Sequence, residues 1–124
     1  MANTAAVHII DDDEAVRDSL SSLLDAHGLA VVIHSSARAF LEGVEPGPDD
    51  CVVTDVLMPD MGGLALLRAL RARRSRVPVI LVAGRPDNGL AEAANALGAF
   101  VLIDKPFAAD TLLQAVRDAM APRA

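Results

Sequence analysis

The sequence predicts an α/β fold in which five parallel strands are covered by helices on both faces. Five short apolar runs, "AVHII", "LAVVI", "CVVTD", "VPVILVA" and "AFVLID", recur at even spacing with helical patterns between them, and that alternation is the mark of the α/β class. Each run is also nearly continuous in apolar character, as a parallel strand sandwiched between helices requires.

The first strand is "AVHII", and Asp13 and Glu14 follow it at the start of the first helix, where negative charge suits the helix dipole. Val16, Leu20, Leu23, Leu24 and His27 then recur at helical spacing, with Gly28 placed as a left-handed C-cap. "LAVVI" is the second strand. A short second helix runs from about Ser36 to Gly43, and "EPGPDD", residues 45–50, breaks the chain before the third strand. Asp60 belongs to the turn after Pro59, where Gly62 or Gly63 is expected to supply a positive backbone angle. Leu64, Leu67 and Leu70 mark the inner face of the third helix, and Leu90, Ala94 and Leu97 that of the fourth, which ends before Gly98. Leu112, Leu113, Val116 and Met120 mark that of the fifth. No internal repeat or low-complexity tract interrupts residues 1–124, and no linker does unless the terminal "APRA" begins one, so a single domain is expected.

Length and composition agree: 124 residues, 52% of them hydrophobic, can bury one core without disulfides. The lone cysteine, Cys51, has no bridging partner and sits in a strand, which makes it a core residue and suits a reducing, cytoplasmic setting. No apolar run approaches the ~18 residues of a membrane span, and "MANTAAVHII" lacks the basic start of a secretory signal. A net charge of -6 argues against nucleic-acid binding through this chain alone. Arg68, Arg71, Arg73, Arg74 and Arg76 spread over more than one helix face and read as a solvated helix end. His8, His27 and His34 are scattered without metal-ligand spacing and read as structural.

In an open parallel sheet, ligands bind outside the carboxyl ends of the strands. Asp11 and Asp12 follow the first run, Asp55 ends the third, Ala83-Gly84-Arg85 follows the fourth, and Asp104-Lys105-Pro106-Phe107 follows the fifth. Carboxylates gathered there repel, at about 4 kcal/mol for a unit pair 4 Å apart and an effective dielectric of about 20. Such a cluster needs a cation. Hard oxygen ligands without a His or Cys cluster favour magnesium, which accepts one or two carboxylates and keeps several waters. Lys105, the only lysine in the chain, stands at the same edge, and a mobile ammonium there can meet carboxylate or phosphate.

The motifs "HIIDDDEAVRDSL", "VVTDVLMPDMGGLALL" and "LIDKPF", in this order, resemble the receiver domain of two-component response regulators over essentially the whole chain, with wording nearest the FixJ type of transcriptional regulator. The resemblance implies a (βα)5 doubly wound, CheY-like or flavodoxin-like domain with strand order 2-1-3-4-5. It implies a phosphorelay role with Asp55 as phosphoryl acceptor, Mg2+ held by Asp12, Asp55 and the Leu57 backbone carbonyl with Asp11 acting through water, and Lys105 paired first with Asp55 and then with the phosphoryl group. The Lys105-Pro106 bond is often cis in the family. The implied donor is a phosphohistidine on a sensor histidine kinase or a histidine phosphotransfer protein, and homodimerisation is compatible with the family. A DNA-binding domain following in a longer protein would fit the FixJ-like wording.

Two switch positions depart from the family pattern. Ala83 stands where receivers carry a Ser or Thr hydroxyl, and Leu102 stands where they carry Tyr or Phe. Both halves of the usual coupling are absent, while the acceptor and metal groups are intact. Arg85, two residues beyond Ala83, is a candidate substitute contact for the phosphoryl group, and the apolar Leu57 is a candidate shield against attacking water. The alternative is a pseudo-receiver, a phosphorylation-independent interaction or dimerisation module. An enzyme acting on an outside substrate is disfavoured: Leu57 occupies the place of the second Asp of the aspartyl-phosphatase pattern, and neither a P-loop nor a G-x-G-x-x-G turn is present.

Overall fold

The structure is a computed structural model and describes residues 5–85 and 87–121. Strands and helices alternate as β1 (Ala6–Ile10), α1 (Glu14–Ala26), β2 (Ala30–His34), α2 (Ala37–Gly43), β3 (Cys51–Asp55), α3 (Gly63–Ala72), β4 (Val79–Ala83), α4 (Asn88–Ala96), β5 (Val101–Asp104) and α5 (Ala109–Met120). The strands form one five-stranded parallel sheet in the order β2-β1-β3-β4-β5, the predicted doubly wound topology.

Successive strand residues point to opposite faces, and both faces are covered. Val7, Ile9, Cys51, Val53, Ile80, Val82 and Ile103 pack against Leu24 of α1 and Leu112, Leu113 and Val116 of α5. The other face sets Ile10, Val52, Val79 and Leu81 against Phe40 and Leu41 of α2, Leu66, Leu67 and Leu70 of α3 and Ala94 of α4. Two cores on one sheet explain why the strand sequences do not alternate. The edge strands are the exception: Val32 and Ile33 of β2 are 42% and 45% exposed and Val101 of β5 is 36% exposed, since fewer neighbours flank a strand with one open side. In α3, Leu66 is buried alongside the expected Leu67 and Leu70, while Leu64 packs only partly against the core.

The helix ends follow local chemistry. The Asp13 carboxylate caps α1 by accepting from the N–H groups of Ala15 and Val16, Ser36 caps α2 through the Ala39 N–H, and Asp87 caps α4 through the Leu90 N–H. Gly28 takes the left-handed angle expected after α1, with φ of 82°, and Gly98 after α4 does the same, with φ of 79°.

Three expectations need correction. In the β3–α3 turn the positive angle falls on Asp60, with φ of 70°, and not on Gly62 or Gly63. Those positions call for glycine because the backbone closes tightly: a Cβ on Gly62 would lie 2.3 Å from the Val56 carbonyl oxygen, and one on Gly63 2.7 Å from that of Asp55. The arginine cluster is not simply solvated. Arg71 donates to the carbonyls of Leu97, Gly98, Ser75 and Val77, tying α3 to the end of α4, and Arg73 donates to the Leu41 carbonyl.

Nor are the histidines all scattered. His27 stays apart at the end of α1, but His8 Nδ1 and His34 Nε2 share a proton at 3.1 Å, and His8 Nε2 lies 2.9 Å from Asp50 Oδ2. The pairing of Ile10 with His34 sets His8 diagonally beside His34 on the same sheet face. Burial alone would raise the Asp50 carboxyl, but hydrogen bonds from the Ala6 N–H, His8 and the Gly47 N–H hold it below the usual carboxylate range. Cys51 lies in the core as expected, and burial pushes its thiol up to about 12. Among the described residues no helix is long and apolar enough to cross a membrane.

Candidate functional site

The ends of β1, β3 and β5 bring the acidic and basic groups of the sequence to one edge. Ile10 pairs with Thr54, Asp55 with Val82, and Ala83 with Asp104, so the residues just beyond these positions share a niche. The Lys105 N–H donates to the Ala83 carbonyl at 2.8 Å, which fixes the exit of β5 against the end of β4 and aims the lysine inward. Its Nζ donates to Asp55 Oδ2, a contact between residues 50 apart in sequence. The Lys105-Pro106 bond that follows is cis.

The Asp55 side chain is 12% exposed and that of Lys105 37%, so the carboxylate is largely removed from water while the ammonium keeps part of its hydration. The other carboxylate oxygen of Asp55 accepts from the Leu57 N–H at 3.0 Å, a short turn that directs the chain away from the strand. The Leu57 side chain is 79% exposed and stands in solvent at the rim.

Asp11 is buried. Its Oδ1 accepts from the Asp13 N–H at 2.9 Å, its own N–H donates to the His34 carbonyl at 3.3 Å, and Arg17 Nη1 donates to its carbonyl at 2.8 Å. Burial raises the Asp11 carboxyl above the ordinary range, and the charges of Asp55 and Asp12 push the same way against the Asp13 hydrogen bond and Lys105. Asp11 thus lies within electrostatic reach of Asp12, Asp55 and Lys105. Asp12 itself is exposed at the mouth.

Asp11, Thr54, Asp55, Lys105 and Phe107 line a niche of about 20 Å³. A larger hollow of about 560 Å³ lies at the opposite edge between Arg73, Arg74, Arg76, Pro78 and Met120, but none of the clustered carboxylates reaches it. The chemistry therefore belongs to the small niche. Phe107 was quoted in the "LIDKPF" motif without a role, and its ring now forms an apolar wall beside the acidic groups.

The donor set suits a hard, hydrated cation. Among the described residues no three His, Cys, Asp or Glu side chains converge closely enough to cage an ion. Magnesium does not require such a cage, since it takes one or two carboxylates and completes its octahedron with water and carbonyl oxygen.

Ala83 is buried at the end of β4 and offers no hydroxyl, and Leu102 packs partly against the α2–α3–α4 core. Gly84 has open space around it, and Arg85 is exposed, with no hydrogen bond or ion pair among the described residues. One contact of the loop that follows β3 had no sequence signal: Arg38 of α2 grips Asp60, Nε to Oδ2 at 2.7 Å and Nη2 to Oδ1 at 3.3 Å.

Comparison with known proteins adds family membership. The family model for the response regulator receiver domain matches residues 7–117. The chain is 47% identical over 117 residues to the transcriptional regulatory protein FixJ of Azorhizobium caulinodans, covering 94% of this chain and 56% of that protein. It is 39% identical over 116 residues to the response regulator protein TodT of Pseudomonas putida, covering 94% and 51%. The chain therefore spans about half the length of these curated relatives. Its fold superposes on the crystal structure of FixJ-N with a TM-score of 0.84 at 37% identity, covering 100% of this chain and 98% of that one. The BeF3-activated DrrB receiver domain matches with a TM-score of 0.84 at 25% identity, covering 97% and 100%.

Proposed function

The chain belongs to the response regulator receiver domain family of two-component signalling, and from that premise we propose that it accepts a phosphoryl group on Asp55 from a phosphohistidine donor. The observation that carries this reading is the meeting of Lys105 Nζ with Asp55 Oδ2 beside Asp11 and Asp12. The donor is a sensor histidine kinase or a histidine phosphotransfer protein.

In the transfer, an Asp55 carboxylate oxygen bonds to phosphorus as the P–N bond of the phosphohistidine breaks, and the leaving imidazole takes a proton. The product is an acyl phosphate, which water later cleaves to the free carboxylate and inorganic phosphate. Bound magnesium would neutralise the phosphoryl oxygens, held by Asp12, Asp55 and the Leu57 carbonyl, with Asp11 acting through water. Lys105 then passes from the carboxylate to the phosphoryl group, which a mobile ammonium can follow without rebuilding its surroundings. Phe107 and the buried strand ends limit water around the acceptor.

The output step is atypical in this reading. Ala83 cannot donate a hydrogen bond to a phosphoryl oxygen, and Leu102 has no ring to swing inward. A switch responds only to contacts that differ between its states, so phosphorylation couples weakly to β4, α4 and β5 or works through another group, with Arg85 the nearest cationic candidate. Ala83 also favours the second reading, a pseudo-receiver that binds a protein partner or dimerises without phosphate. A DNA-binding output domain in a longer protein is part of the FixJ-like proposal.

The test is to incubate the chain with magnesium and acetyl phosphate and to follow intact mass for the wild type and Asp55→Asn. The reading expects one phosphoryl group on the wild type and none on the variant. No gain on the wild type would favour the pseudo-receiver.

A further inference from the structure

The β3–α3 loop carries the backbone of Leu57, and its own bonds are local. The Leu57 N–H reaches back to Asp55 Oδ1, the Met61 N–H to the Pro59 carbonyl at 2.7 Å, and the Gly63 N–H to the Val56 carbonyl at 3.1 Å. These bonds shape the loop, and Met58 and Met61 pack partly against the core that α2 and α3 share, a contact without direction of its own. Among the described residues, the only side chain beyond β3 that hydrogen-bonds residues 57–62 is Arg38, whose two nitrogens meet the two oxygens of Asp60.

Three features separate this fork from an ordinary surface ion pair. Asp60 holds a left-handed backbone angle that a side-chain-bearing residue rarely takes, with φ of 70°, and this presents its carboxylate toward α2. Arg38 rises from the first turn of an anchored helix. Ser36 caps α2, and Phe40 is fully buried with its ring centroid 5.3 Å from that of His8 and 5.0 Å from that of His34. His8 is held in turn by Asp50. Finally, the contact is two-pronged, the arrangement in which a planar guanidinium fixes direction as well as distance. Arg38 holds the Asp60 carboxyl below its usual range.

The geometry points to Arg38 as a positioning residue for the phosphoacceptor loop: by gripping Asp60 it sets the loop against α2 and so places the Leu57 backbone at the cation site. Arg38 touches neither the acceptor nor the phosphoryl group in this role. The inference rests on the magnesium-dependent reading above and deepens it. It predicts that loosening the fork weakens cation binding while leaving Asp55 itself competent.

The test compares the wild type with Arg38→Gln, Arg38→Lys and Asp60→Asn. Asparagine tolerates the left-handed angle, so Asp60→Asn removes the charge while keeping the turn. Magnesium affinity is read from backbone shifts, phosphorylation from the rate with acetyl phosphate at low and saturating magnesium, and loop order from hydrogen exchange at the Leu57 N–H in metal-free protein. Arg38→Gln and Asp60→Asn are expected to bind magnesium roughly three- to fivefold more weakly, a size typical of coupling through an exposed pair. Leu57 exchange should quicken in both, and phosphorylation rates should converge with the wild type at saturating magnesium. Arg38→Lys should recover part of the loss, and the double variant should be no worse than either single one. Unchanged affinity and exchange would overturn the role of Arg38, as would a rate loss that persists at saturating magnesium or tracks a fall in thermal midpoint. If the wild type itself takes up neither magnesium nor a phosphoryl group, the receiver reading fails and this inference with it. Wild-type competence with matching variants removes the fork alone.

Discussion

Replacing Lys105 with methionine keeps most of the side-chain volume and deletes the charge facing Asp55. In the wild type, Asp11 and Asp55 line the niche with one ammonium. Without it, the two carboxylates are left with no cation. Breaking a fully buried ion pair costs about 3–5 kcal/mol, and an exposed pair is worth no more than about 1 kcal/mol. Asp55 is 12% exposed and Lys105 37%, which places the loss between those limits, at about 2 kcal/mol by interpolation. At about 4 °C per kcal/mol for a domain of this size, the midpoint should fall by about 8 °C in metal-free buffer. Magnesium should reverse much of this. It replaces the missing positive charge and no longer competes with an ammonium, and a ligand at a hundredfold excess over its Kd adds about 2.7 kcal/mol. Thermal denaturation of both proteins, with chelator and with magnesium, measures the two effects. A Lys105→Met protein as stable as the wild type in chelator, or one gaining no more from magnesium than the wild type gains, would refute the electrostatic account of the niche.

Three further outcomes are expected. Restoring the missing switch chemistry with Ala83→Thr and Leu102→Tyr should enlarge the phosphorylation-dependent shifts of β4, α4 and β5 amides at least twofold over wild type in heteronuclear spectra, while leaving phosphoryl uptake intact. Leu57→Asn should shorten the lifetime of the phosphorylated form severalfold by placing a polar group at the rim, read from the decay of intact mass; equal half-lives would remove the shielding role of Leu57. The Cys51 thiol is pushed up to about 12 by burial, and the unfolded chain ionises near the ordinary value of about 8.5. Ionisation therefore favours unfolding, and this contribution to stability is lost as pH rises from the unfolded value toward the folded one. Cys51→Ser or Cys51→Val should flatten the fall in urea midpoint between pH 8 and 10, and the native thiol should resist a disulfide reagent that reacts at once in urea.

What the sequence could disclose was decided locally. The strand runs, the negative charge of Asp13 at the start of α1, the start of α2 near Ser36 and the glycines Gly28 and Gly98 that follow α1 and α4 each act within a few residues, and each was legible. Asp55 and Lys105 were legible as a pair because all strands of a parallel sheet end at one edge, so a charge at a strand tip has few places to go. The His8–His34–Asp50 chain depends on the register of β1 against β2 and on the return of residue 50 beneath β1, neither of which has a local signature. Arg38 and Asp60 are 22 residues apart and both exposed, so no apolar periodicity pointed to them. Arg71 looked like its neighbours in sequence, and only the packing of α3 against the end of α4 turned it to face four carbonyls. The Asp60 angle was misassigned to glycine because the steric demand at Gly62 and Gly63 arises from carbonyls closing in space and not from their own backbone angles.

The most direct measurement is to treat the protein with acetyl phosphate and magnesium, reduce the acyl phosphate with borohydride, and map the resulting homoserine by peptide sequencing. The account predicts homoserine at position 55 alone, absent when magnesium is chelated. Label at Asp11 or Asp12, label that ignores magnesium, or no label at all would contradict it.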